Sequence, residues 1–100
     1  NNPGYDIESL TPDGHLLFIE VKGRVAGASD FFVTYTEVLR GKTAAPHYRL
    51  ALVCVDPEGP ARDEVRYVDD PFATTDLGGF AATGIRGDWA ETWARGSPPH

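Results

Sequence analysis

Two stretches rich in strand-forming residues, GYDIES at 4–9 and IEVKGR at 19–24, carry side chains able to do chemistry: Asp6, Glu20 and Lys22. A charge among apolar strand residues is costly to bury unless it is paired or holds an ion. Two facing carboxylates repel, and neither is neutralised cheaply unless its pKa climbs. A divalent cation removes the problem. Mg²⁺ takes oxygen ligands at about 2.0–2.1 Å, typically one or two carboxylates with waters and substrate phosphate. A lysine beside it can orient a water or, as the neutral amine, deprotonate it, or as the ammonium stabilise charge on a phosphoryl group in flight. Asp, Glu and Lys so placed make a metal-assisted phosphodiester hydrolase with Mg²⁺ or Mn²⁺ as cofactor. The same three charges on a half-exposed hairpin also make a plain surface network, and spacing alone does not separate the two.

For the chemistry to work the three must share one face. Residues 5–10 and 15–22 read as strands joined by TPDG. Pro12 presets the first corner of a type I turn, and Gly14 takes the left-handed position that closes a three-residue hairpin loop. That loop sets Thr11 opposite His15 and Asp6 opposite Glu20. Opposed residues have Cβ atoms about 4.5–5.5 Å apart on one face. Lys22 joins them through the strand period of two. A slip of one residue would send the set to the other face.

Further along, FFVTYT at 31–36 is strand-like and then changes character. Thr34 with Glu37 three residues on is a capping-box pattern, which predicts a short helix over 35–43. Gly41 weakens that helix, and Pro46 limits its extension. Glu37 reads first as a cap and second as an accessory acid. The near-continuous apolar run at 48–56 predicts a buried central strand, with Leu50, Leu52 and Cys54 on one face and Ala51, Val53 and Val55 on the other. PEGPA is a turn, and 64–70 a fifth strand. TTDLGG and the Gly-rich GGFAATG read as loop, since the latter lacks the Lys-Ser/Thr of a phosphate loop. FAATGIR at 80–86 is a candidate edge strand. DWAETWARG is a short helix capped by Asp88, with Trp89 and Trp93 on one stripe. Residues 97–100 are expected to be a disordered tail after a single domain at 1–96. The sum is an α/β fold: a mixed sheet with short flanking helices.

Composition bounds the rest. A chain of 100 residues with 41% apolar content suits one small globular domain. Its net charge of −6 is unevenly spread: residues 22–49 hold five cations against Asp30 and Glu37, while four arginines face nine acids beyond residue 50. A basic middle can track phosphates. Arg24, two residues past Lys22, is a candidate phosphate contact, as is Lys42; a solvated strand end is the alternative for Arg24. The single Cys54 forms no internal disulfide and suits a reduced thiol in a cytoplasmic setting. The scattered His15, His47 and His100 have no zinc-type spacing. No apolar run is long enough for a membrane span. The chain lacks methionine and opens on Asn1-Asn2-Pro3, so it is expected to be a piece of a longer protein.

The Asp6…Glu20-Val21-Lys22 pattern after a hairpin resembles the PD-(D/E)xK nuclease superfamily. NPGYDIES, FIEVKGR, VTYTEVL and YRLALVCVD more specifically resemble the NO VEIN C-terminal domain family. The resemblance implies a restriction-endonuclease-like sheet flanked by helices, Mg²⁺ held by Asp6, Glu20 and the Val21 backbone carbonyl, and DNA as substrate. It also implies a neighbouring helicase or ATPase region in a helicase-like or antiviral-defence parent. The superfamily core usually begins with a helix ahead of the first strand, and this chain starts after that point. Two functions are therefore expected: a Mg²⁺-dependent DNA endonuclease, or a catalytically silent module on the same fold that docks DNA or a partner domain.

Overall fold

The computed structural model describes residues 4–75 and 84–100. Strands β1 (Gly4–Leu10) and β2 (Leu16–Val25) form the antiparallel hairpin, and its register pairs Asp6 with Glu20. The turn chemistry sets that register. The Thr11 amide donates to the His15 carbonyl at 2.8 Å, and the Gly14 amide donates to the Thr11 carbonyl at 2.9 Å. Gly14 has φ +88°, a conformation that a residue without Cβ adopts freely.

After β2 the chain forms β3 (Asp30–Thr34), helix α1 (Tyr35–Ala44) and strand β4 (Tyr48–Val55), which returns parallel to β2. Parallel strands need a crossover connection, and β3 with α1 supplies it. Both arms of the Thr34–Glu37 capping box are present, and the helix ends where Ala45 turns extended ahead of Pro46. A 3₁₀ turn at Pro60–Arg62 leads into β5 (Glu64–Asp69), antiparallel to β4. The main sheet is thus mixed, in the order β1-β2-β4-β5.

The run at 31–36 does not join that sheet. β3 pairs antiparallel with β6 (Gly84–Asp88) in a second, two-stranded sheet. Strand patterning records an element's period and leaves its partner open, because the partner is set by which apolar faces meet. Of the expected loop and edge strand at 74–86, residues 76–83 lie outside the described part of the chain. Asp88 ends β6 and caps α2 (Trp89–Ala94), accepting the Glu91 amide at 2.7 Å. The tail at 97–100, expected to be disordered, runs beside β5. Ser97 bridges Tyr67, and His100 Nε2 lies 2.8 Å from Asp69 Oδ1.

One face of the main sheet packs against the small sheet and both helices. Its cluster holds Tyr48, Leu50, Leu52 and Val68 with Phe31, Val33, Val38, Phe72 and Trp89, and Cys54 packs against it as a free thiol. Trp89 meets Phe31 edge-on with ring centres 5.9 Å apart and stacks on Trp93 at 5.8 Å. The opposite face carries the smaller cluster of Ile19, Val21 and Ala51, with Val53 packed against it. The two faces of β4 divide as the alternation of a covered strand requires. Among the described residues, no helix is long and apolar enough to cross a membrane.

Helix α1 approaches the sheet through Gly41. A Cβ there would lie 2.5 Å from Phe72 Cδ2 and 3.2 Å from Tyr48 Cε1, both on buried rings. Helix propensity alone would favour Gly41→Ala by about 1 kcal/mol. Overpacking outweighs it, so the substitution is predicted to destabilise the fold by roughly 1–2 kcal/mol in urea unfolding. An increase in stability would show that α1 sits further from the sheet.

Candidate functional site

The hairpin register and the strand period bring Glu20 and Lys22 to the covered face of β2, beside Leu50 and Leu52 of β4. There they are only 2% and 3% exposed. Neither is solvated, so each must be satisfied by a neighbour. For Lys22 the neighbour is Glu37 in the first turn of α1: Nζ donates to Oε1 at 2.9 Å and to Oε2 at 3.1 Å. Glu20 Oε2 lies further from that ammonium, at 4.0 Å.

Glu37 acts twice. Its Oε1 accepts the Thr34 amide at 2.8 Å, completing the cap, and both of its oxygens accept from Lys22. The spacing from Thr34 explained the residue as a cap, and the cluster role follows from where α1 docks. Arg40, one turn on, was not singled out in the sequence. Its Nη1 donates to Asp6 Oδ2 at 3.1 Å, and its guanidinium carbon lies 6.0 Å from the Phe18 ring centre. The available signal was the i, i+3 relation to Glu37, which puts both side chains on one helix face.

One carboxylate oxygen from each of Asp6, Glu20 and Glu37 lies within 4.8 Å of the others. Burial, then hydrogen bonding with Asp6 and Glu37 and repulsion from both, pushes the Glu20 carboxyl up to about 9. Glu37 goes the other way. Burial opposes its ionisation, but the Thr34 amide, the Lys22 ammonium and a hydrogen bond with Glu20 together lower its pKa. Glu20 Oε1 is buried and faces no donor of the fold. A proton on Glu20 would let it donate to one of its carboxylate neighbours, which reconciles that orphaned oxygen with the raised pKa. The Tyr48 hydroxyl is also buried without a partner, and its pKa is raised by burial and then by the three carboxylates.

This donor set fits a hard divalent cation. It is all oxygen, converges from three elements, and includes a buried ligand atom lacking a partner. Oxygens on an ion at about 2.1 Å lie about 3.0 Å apart in cis and about 4.2 Å apart in trans, and of three ligands at most one pair is trans, so the carboxylates would draw in by up to about 2 Å to bind it together. Asp6 and Glu20 are the two least committed. Val21 is flanked by Tyr5 and Ala51 in the ladders on either side, and its side chain sits in the opposite-face cluster.

The two expected phosphate contacts are not gathered into the cluster. Arg24 donates to the Asp30 carbonyl and lies 3.5 Å from its Oδ1, which ties the end of β2 to the start of β3. Lys42 stands in the last turn of α1, at the opposite end of the helix from Glu37.

A family model described as "Protein NO VEIN, C-terminal" matches residues 1–68, which contain β1 to β4 and every residue of the cluster. Comparison with curated proteins and with solved structures found no match.

The raised Glu20 pKa has a thermodynamic consequence. The native state keeps a proton that the unfolded chain has released, so this stabilisation is complete below the ordinary value of 4.5 and is lost as pH rises toward about 9. The slope approaches about 1.4 kcal/mol per pH unit inside that window. Glu37 has the opposite sign, contributing above 4.5 and losing its contribution as pH falls below that value. Glu20→Gln, neutral at every pH, is therefore predicted to flatten the decline on the alkaline side and to be more stable there than the parent protein in cation-free denaturant titrations. An unchanged pH profile would exclude Glu20 as the titrating group.

Proposed function

The chain belongs to the NO VEIN C-terminal family, and on that premise we propose that it is a divalent-cation-dependent phosphodiesterase domain acting on DNA. One observation carries the reading: three carboxylates converge, and one of them, the buried Glu20, has an oxygen with no donor. Asp6 and Glu20 are the metal-holding pair, with the Val21 carbonyl beside them and Glu37 as third acid. When bound, the ion supplies Lewis acidity toward a phosphoryl oxygen and toward the attacking water. Lys22, fixed at its ammonium by both Glu37 oxygens, stabilises the charge that develops on the phosphodiester and orients the attacking water. The Asp6…Glu20-Val21-Lys22 pattern supports placing the domain with the PD-(D/E)xK nucleases. A helicase-like or defence parent, with an ATPase region nearby, accords with that placement.

One observation favours a second reading, in which the fold docks DNA or a partner domain without cleaving. With Glu20 protonated, Asp6 and Glu37 carry two negative charges, and Arg40 and Lys22 answer them with two positive ones. The cluster can thus balance its charge with no cation.

Cleavage of supercoiled plasmid in Mg²⁺ or Mn²⁺ separates the two. The proposal expects cation-dependent nicking that falls by at least about 100-fold in Asp6→Ala and Lys22→Ala, the scale of losing a group that stabilises transition-state charge. DNA retention with no nicking under any cation would favour the docking module. Equal nicking by the variants would remove these residues from the reaction.

A further inference from the structure

The cluster has two cations, and they differ in access. Lys22 is 3% exposed and pairs with Glu37. Arg40 is 38% exposed and sits on the solvent side with Asp6, itself 50% exposed. A phosphate arriving from solvent meets the guanidinium first. That group presents several donors in a planar fork suited to phosphate oxygens. Its single bond to Asp6 Oδ2 leaves other N–H groups free to turn outward, and the Phe18 ring supports it from below. Arg24 is committed to Asp30 and Lys42 lies at the far end of α1. Arg40 is therefore the cation best placed to take a substrate phosphate at the carboxylates.

We infer that Arg40 is the phosphate-binding residue of the site and that Asp6 holds it in reserve. The inference rests on the metal-dependent reading above. Asp6 cannot give the same oxygen fully to Arg40 and to a cation. When a cation engages Asp6, the guanidinium loses its partner but stays tethered by α1 and Phe18, beside the place a phosphodiester must occupy. Cation and phosphate then bind with positive coupling, each favouring the arrangement the other needs. Without a cation, Arg40 stays on Asp6, whose negative charge weakens its hold on an anion. No residue of the cluster has to leave its element for this exchange.

The test uses the whole chain with Ca²⁺, chosen to support binding without turnover, and reads two equilibria. Anisotropy of a short labelled DNA duplex is measured in Ca²⁺ and in chelator for the parent protein, Arg40→Ala, Arg40→Lys and, as a control for charge loss, Arg62→Ala between β4 and β5. Ca²⁺ affinity without DNA is measured by calorimetry. Ca²⁺ is expected to tighten DNA binding of the parent protein by about tenfold or more, the range of ordinary site-to-site coupling. Arg40→Ala should lose most of that gain and reduce the salt dependence of binding by about one phosphate contact. Arg40→Lys should recover part of it, and Arg62→Ala should keep it. Arg40→Ala should also bind Ca²⁺ at least as tightly as the parent protein, because Asp6 is released from competition. A merely structural Arg40 would weaken Ca²⁺ binding as well, and that result overturns the inference. So does unchanged DNA binding by Arg40→Ala in Ca²⁺, which leaves the metal reading intact. Absence of Ca²⁺ and Mn²⁺ binding by the parent protein defeats that reading, and this inference with it.

Discussion

The structure turns on two charged side chains, Glu20 and Lys22, taken almost wholly out of water on the covered face of a central strand. Their desolvation must be offset locally, and for Lys22 the offset comes from one residue of a neighbouring helix. Glu37 can reach Lys22 only if α1 begins at Thr34 and packs close to the sheet. The capping box fixes the first condition, and Gly41, which lets α1 approach Phe72 and Tyr48, fixes the second. The parallel crossover from β2 to β4 exists to the same effect, because it carries α1 across the face where the charges lie. Breaking a buried pair by removing one partner is expensive, about 3–5 kcal/mol, whereas replacing both by apolar residues is often neutral. Stability alone is therefore a poor reason for this cluster.

The parts of the site written in short-range pattern were legible in the sequence. Pro12-Asp13-Gly14 determines a loop length, the loop determines the register, and the register puts Asp6 against Glu20. The period of two then carries Lys22 to the same face. The cap at Thr34, the buried strand at 48–56 and the helix after Asp88 were readable for the same reason: each signal lies within a few residues of what it specifies. What depends on docking was not readable. Nothing near Glu37 says that its carboxylate serves Lys22, and nothing near Arg40 says that it finds Asp6, because both contacts depend on how a helix lands on a sheet. The pairing of β3 with β6 in a separate sheet escaped for a like reason, since the two strands are distant in sequence and neither carries a hairpin signal toward the other.

The electrostatics of the cluster admit two closed states. In one, Glu20 holds a proton, Lys22 and Arg40 balance Glu37 and Asp6, and the site is self-contained. In the proposed other state, a divalent cation takes the place of the Glu20 proton and of the Arg40 contact to Asp6. The pKa of Glu20 is raised first by its burial and then by the carboxylates of Asp6 and Glu37 crowded beside it. The same crowding that holds the proton would hold a cation, and the two would compete for one place.

That competition gives the most direct measurement. Calorimetric titration of Mn²⁺ into the protein near neutral pH, repeated in buffers of different ionisation enthalpy, reports the protons exchanged per cation bound. The account predicts saturable binding with release of close to one proton in the parent protein, the Glu20 proton giving way to the ion, and with that release absent in Glu20→Gln. Binding with no proton released, or no binding at all, would contradict it.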